Sequence, residues 1–375
     1  MRFNGFDEKW KSFKLSEISE RITRKNKSLE TDRPLTISAQ YGLVDQIEYF
    51  NKIVASKSLK GYYLLNKGEF AYNKSYSNGY PFGAVKRLDD YENGAISTLY
   101  ICFNANDKMN SDLLKEYFET DKWHKEIYKI AVEGARNHGL LNIAVGDFFN
   151  TKHDLPSNNH EQEKIAKFLI EINTKIDLLE NKHKAYQDFK KYLMQNIFTQ
   201  KLRFDYDMIK LKDICKINKG KQLNKDAMIE NGKYYVLNGG KEPSGYTNEW
   251  NTSENTITIS EGGNSCGYVN FNTEKFWSGG HCYYLSNLHE NVDDYYLYSY
   301  LKFKEEFIMR LRVGSGLPNI QKGDIENIKI QIVSKDNQNK ISNLLLSADK
   351  KINSIQIQKE NFENFKKGLL QQMFV

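Results

Sequence analysis

The sequence predicts a mixed α/β protein, with two α/β domains separated by two long helices that form an antiparallel coiled coil of pseudo-two-fold symmetry. Three observations predict it. Two stretches of about 38 residues repeat without a gap at a constant offset of 176. Each stretch carries apolar residues at heptad spacing. The residues outside them mix short strand-like runs with aromatic helical runs and repeat only at their edges.

The repeat pairs EQEKIAKFLIEINTKIDLLENKHKAYQDFKKYLMQNIF with NQNKISNLLLSADKKINSIQIQKENFENFKKGLLQQMF. Gln162 meets Gln338, Lys164 meets Lys340, and Phe189, Lys190 and Lys191 meet Phe365, Lys366 and Lys367. The seams run Ile165, Leu169, Ile172, Ile176, Leu179, His183, Tyr186 and Ile341, Leu345, Ala348, Ile352, Ile355, Lys359, Phe362, stepping by four and three. Neither stretch contains proline, and Pro156 stands just before the first. At about 1.5 Å per residue each makes a rod of roughly 57 Å. An exposed apolar seam is unfavourable, so the two are expected to pair with each other, antiparallel because a domain lies between them. His183 and Lys359 share one core position and read as register-setting polar residues. The broad apolar ends, Leu193, Met194, Ile197, Phe198 and Leu369, Leu370, Met373, Phe374, are expected to dock onto the chain's own domains.

Upstream, GLLNIAVGDF from Gly139 matches GLPNIQKGDI from Gly316, and FKLSEI (13–18) resembles IKLKDI (209–214). Each domain thus keeps its edges and changes its middle. Residues 62–65, 95–103, 256–260 and 281–285 read as strands, and 112–128 and 293–311 as helices. The expected boundaries are 1–155 and 204–333 for the domains, and 156–203 and 334–375 for the helical segments.

Composition narrows the function. The chain has 375 residues, 39% of them hydrophobic and 27% charged, which fits folded domains and not disorder. No run approaches the roughly 18 apolar residues of a membrane helix, and the N-terminus has no apolar signal core, so a cytoplasmic location is expected. Four scattered cysteines are too few for a disulfide framework. The five prolines are never adjacent, which excludes the Asn/Asp-Pro-Pro-aromatic motif of amino-methyltransferases. There is no Gly-x-x-x-x-Gly-Lys-Ser/Thr phosphate loop and no His-Glu-x-x-His. Cys266, His281 and Cys282 lack the spacing of a structural zinc site. No catalytic set, metal or cofactor is expected. The net charge of +6 permits a polyanionic partner.

Two unlike domains, each opening on Lys-Leu-x-[Glu/Asp]-Ile and each followed by a matching helix, resemble the specificity subunit of Type I restriction–modification enzymes. The resemblance rests on Gly139, Asn142, Ile143, Gly146, Asp147, Gln162, Lys164 and Ile165 and on their counterparts Gly316, Asn319, Ile320, Gly323, Asp324, Gln338, Lys340 and Ile341. It implies two target recognition domains on double-stranded DNA, each reading half of a split, asymmetric site. The helices would act as a spacer and hold two methyltransferase subunits, which a restriction subunit, an endonuclease and translocase, can join. The chain itself would not be an enzyme. The assembly would be a DNA adenine methyltransferase and, with a restriction subunit, an ATP-dependent endonuclease. The alternative is a helical scaffold that binds proteins and no DNA.

Base reading needs donors and acceptors on loops, with cations on phosphates. Residues 71–87 offer Lys74, Tyr76, Ser77 and Asn78, then Lys86 and Arg87, or form a plain surface turn. Residues 133–139 offer Arg136, Asn137 and His138 just before the repeated Gly-Leu-x-Asn-Ile, where the second half has Arg312 and Ser315. The second domain adds Lys219, Lys221 and Gln222, then Asn238 and Lys241, Asn264 and Ser265, and Arg310 at a helix end.

Overall fold

A computed structural model describes residues 2–52, 54–56, 58–131, 141–314, 316 and 318–374. The chain divides into two compact units, Met1–Leu179 with Gln358–Val375, and Glu180–Ile357. Each is an α/β unit that includes part of both long helices, Asn159–Phe198 and Lys335–Met373. Asn158 starts the first helix by accepting from the N–H groups of His160 and Glu161 at 2.9 and 3.3 Å.

The first unit is built on a four-stranded antiparallel sheet in the order Ser19–Ile22, Ile101–Ala105, Phe70–Asn73, Ala84–Arg87. A smaller sheet joins Pro34–Ser38 to Asn93–Ile96 in parallel, with Gly42–Asp45 and Tyr63–Asn66 at its edges. A ribbon of Lys11–Lys14 and Lys152–Leu155 links the start of the chain to the entry of the long helix. The second unit has the same plan. Its main sheet runs Lys216–Lys219, Cys282–Ser286, Thr256–Ser260, Val269–Asn272. Its smaller sheet has one parallel pair, Tyr234–Leu237 with Trp277–Ser278, and its ribbon pairs Tyr206–Lys210 with Lys329–Val333. The two middles share almost no sequence, yet their main sheets have one strand order; the smaller sheet has four strands in the first unit and three in the second.

The repeated edges explain themselves in contacts. Leu15 and Leu211 are fully buried, and their N–H groups donate to Thr151 O at 3.0 Å and Ile328 O at 2.9 Å. Gln162 and Gln338 are both buried and make matching bonds. Gln162 accepts from Asn110 N at 2.7 Å and donates to Pro156 O, while Gln338 accepts from Asp293 N at 2.8 Å and donates to Val333 O. Asn110 and Asp293 cap the helices Ser111–Phe118 and Asp294–Phe303, so the repeated glutamine ties the long helix to the start of the domain helix.

The helices expected over 112–128 and 293–311 are each two. The first ends at Phe118, where Thr120 Oγ1 donates to Tyr117 O at 2.6 Å and the buried Trp123 indole donates to Phe118 O at 3.2 Å. His124–Ile130 then begins afresh. In the second, Lys304 separates Asp294–Phe303 from Glu305–Arg310. The strand expected over 95–103 is broken by a turn in which Tyr100 N donates to Ser97 O at 3.1 Å.

In the first unit Ile165, Leu169 and Ile172 share a core with Leu369, Leu370, Met373 and Phe374. In the second, Ile197 and Phe198 share one with Ile341 and Leu345. The start of each helix therefore packs with the end of the other, the antiparallel arrangement. Along the seams Leu179, Ala348 and Ile355 are buried too, and Ile176, His183, Tyr186, Ile352, Lys359 and Phe362 are half-buried. Among the described residues no helix is long and apolar enough to cross a membrane.

The repeated lysine of the Phe-Lys-Lys motif meets a carboxylate in both units by different means. Lys366 lies 2.9 Å from the buried Glu116 of a domain helix, which also accepts from Asn173 at 2.7 Å. Lys190 lies 2.6 Å from Asp349, which accepts from Tyr295 Oη. Asp349 stands at the repeat position of Asn173, while Ser299 takes the place of Glu116 on its helix. The charge has moved from the domain helix to the long helix, and one carboxylate is kept beside each half-buried lysine.

Candidate nucleic-acid interface

The site follows from the pleat of the main sheet. In the first unit Phe70 and Tyr72 point into the core, and in the second Ile257 and Ile259 do. Two residues further on in the same phase stand Lys74 and Glu261. Both accept, through their carbonyls, from the repeated Gly-Leu-x-Asn-Ile segment: Leu141 N donates to Lys74 O at 3.0 Å and Ile320 N to Glu261 O at 2.9 Å. The same place in two like folds thus holds opposite charges.

In the second unit the strands Lys216–Lys219 and Cys282–Ser286 and the segments around His281 and Ile320 meet at Glu261. Its carboxylate is buried, 5% exposed, and Oε1 accepts from Lys219 Nζ at 2.6 Å and Tyr283 Oη at 3.1 Å. His281 Nδ1 lies 3.6 Å from Oε2, and His281 O accepts from Glu261 N at 2.9 Å. Burial first, then the Glu261 charge, raises the Tyr283 pKa, so the phenol remains an O–H donor. Ser260 Oγ donates to Gly239 O, joining the 238–241 loop, where Asn238 Oδ1 accepts from His281 N at 3.2 Å. Gly263, at φ +74, turns the chain so that its N–H reaches Pro318 O at 3.0 Å.

Of the residues expected from sequence, Lys219 ends the strand Lys216–Lys219 and Asn238, Asn264 and Ser265 lie on the neighbouring loops, Asn264 exposed and Ser265 half-buried in the short turn Gly263–Ser265. Arg312 is exposed and close enough to Cys266 to oppose the burial that raises its thiol pKa. Lys221 and Gln222 are exposed, with Lys221 N donating to Ser278 O at 2.9 Å. The Lys241 ammonium sits 5.4 Å from the centre of the Tyr268 ring. Arg310 is exposed at the end of its helix.

In the first unit Lys74 Nζ donates to Ile143 O at 3.4 Å. Tyr76, Ser77 and Asn78 form a hairpin tip closed by Ser77 and Tyr80, with Gly79 at φ +80. Lys86 and Arg87 lie instead in the strand Ala84–Arg87, already engaged: Lys86 with Glu119 at 2.6 Å, Arg87 with Asp89 at 2.7 Å and Asp112 at 2.8 Å. Arg136, Asn137, His138 and Ser315 lie outside the described residues. Glu261, Tyr283 and the non-metal role of His281 were missed. The signal for Glu261 was present, a charge in the apolar phase of an alternating strand.

Residues 204–362 match the family model of the Type I restriction modification DNA specificity domain. A protein named as a type I specificity subunit in Mycoplasma pneumoniae is 36% identical over 144 residues, 38% of this chain and 38% of that one. Another from Mycoplasma genitalium is 34% identical over 141 residues, 37% of each chain. The chain therefore matches under two-fifths of the length of these relatives. In fold, the crystal structure of a Type-I restriction-modification S subunit from M. genitalium covers 100% of this chain and 97% of its own, with a TM-score of 0.69 at 18% identity. A chain from a structure on complex assembly in the type I system covers 98% of both, with a TM-score of 0.54 at 14% identity.

Proposed function

We propose that this chain is the subunit that selects the DNA sequence for a Type I restriction–modification complex, a reading supported by the match of residues 204–362 to the specificity-domain family model, by the two Mycoplasma relatives and by the shared fold. Residues 1–155 and 204–333 each read one half of a bipartite, asymmetric duplex target. Residues 156–203 and 334–375 set the gap between the halves. The observation that carries this reading is one main-sheet and ribbon topology built twice, with different residues at the equivalent position: Lys74 in one unit, and Glu261 with Lys219 in the other. A duplicated frame with unlike tips suits recognition of two unlike half-sites.

The chain supplies binding and no chemistry. Loop donors and acceptors meet base edges in the major groove, and lysines left without a carboxylate neutralise phosphates. Methyl transfer to adenine belongs to methyltransferase subunits, two of them, docked along the repeated helices. Phe189 and Phe365, at one repeat position and 49% and 51% exposed, support a duplicated docking surface. A restriction subunit joining that assembly adds ATP-dependent cleavage.

Salt dependence of duplex binding tests the reading. Neutralising several phosphates makes affinity fall steeply with salt, by a slope of about −0.9 per contact. Binding to duplex DNA that ignores salt, or no binding at all, would instead favour the protein-only scaffold.

A further inference from the structure

Glu261 is an expensive residue for its position. Burying a carboxylate is unfavourable even when it is paired, and an apolar residue of similar size usually serves stability as well. Its Oε2 is buried without a hydrogen bond. What the carboxylate does hold is Lys219, whose side chain is 53% exposed. A free lysine is a mobile point charge. Fixed at 2.6 Å on a rigid, buried oxygen, it becomes an oriented donor. Its charge is offset by Glu261, so its pull on phosphate is weak, yet two of its three N–H groups remain for directed bonds. In the major groove guanine offers a matching acceptor pair, O6 and N7, which lysine can span.

We propose that Lys219, positioned by the buried Glu261, reads a guanine edge in the half-site of the second unit; this rests on the DNA reading proposed above. Lys74, at the equivalent place in the first unit, leans on a neutral carbonyl and keeps its full charge, which suits a phosphate. Glu261 is a positioning residue, out of reach of the base itself.

The test uses the full chain, purified with the subunits that accompany it from its host, and selection from randomised duplexes. The wild type should select a motif with one guanine that Lys219→Ala ceases to prefer, a loss of about tenfold at that position with the other positions kept. Replacing that guanine with 7-deazaguanine, which lacks the N7 acceptor, should weaken the wild type about as much and leave Lys219→Ala unaffected. Glu261→Gln should relax the same position and steepen the salt slope by about one unit, because the lysine charge is released. A merely structural role would weaken every position together and leave the slope alone. Should Glu261→Gln fail to fold, the Lys219→Ala and 7-deazaguanine results decide the matter. If Lys219→Ala keeps every preference, the guanine contact is overturned while DNA reading stands. If the wild type selects no motif, DNA reading itself fails and this inference with it.

Discussion

Removing the ammonium of Lys366 should destabilise the first unit out of proportion to the change in size. Glu116 is 2% exposed, with Lys366 at 2.9 Å and Asn173 at 2.7 Å as its partners. Lys366→Met keeps the apolar stem and strands the carboxylate, a change that typically costs about 3–5 kcal/mol. Lys366 is itself one-fifth exposed, so the lower end, about 3 kcal/mol, is expected. That is about 6–12 °C in Tm for a unit of this size. Adding Glu116→Gln removes the stranded charge and should recover most of the loss. A bolder version copies the second unit: Glu116→Ser with Asn173→Asp should remain near wild type, because the introduced carboxylate would hold Lys366 as Asp349 holds Lys190 at 2.6 Å. Calorimetry of the full chain and its variants measures all of this, with the coupling taken from the double-mutant cycle. Equal destabilisation by Lys366→Met with and without Glu116→Gln would refute the argument.

His153 offers a pH test. It is buried between Tyr117 Oη at 3.0 Å and Thr151 Oγ1 at 2.8 Å, and burial lowers its pKa to about 4 from 6.5. The folded state resists the proton that the unfolded chain accepts, so stability present above pH 6.5 is lost as pH falls through about 4, by about 3 kcal/mol. Urea unfolding of His153→Gln should show a shallower loss in that window, and an identical pH profile would contradict this. Gln338→Ala should cost about 1–3 kcal/mol by leaving the buried Val333 carbonyl and the part-buried groups at Asp293 and Asn291 without this partner, with faster amide exchange at Asp293; unchanged exchange there would count against the anchor. Matched heptads inserted in both long helices should lengthen the unread gap in the DNA target by about 10 Å, roughly three base pairs, per heptad. A variant that assembles with its original gap would show that the helices do not set it.

The long helices were legible because their signal is periodic and duplicated. Seven seam positions at steps of four and three leave little freedom, and Ile165, Leu169, Ile341 and Leu345 lie in the cores. The domains were legible only at their edges. Their strands are mostly four or five residues, too short for periodicity to separate them, so the turn at Ser97 and the helix break near Thr120 were passed over. Gln162 stood out as a repeated residue, yet its role depends on Asn110, 52 positions away, which no local pattern reveals. The site divides in the same way. Lys74 and Lys219 could be named from polar loop composition. Lys86 and Arg87 look the same in sequence, and only the fold shows their charges met by Glu119, Asp89 and Asp112. Glu261 was hidden by its neighbours, since a Glu before two glycines reads as a loop, although its phase with Ile257 and Ile259 marks it as buried.

Methylation sequencing of the host genome, with and without this gene, tests the central claim most directly. Two unlike readers on one chain predict that adenine methylation disappears at a single asymmetric motif made of two short halves and a gap of fixed length. Methylation that is unchanged without the gene would contradict the account.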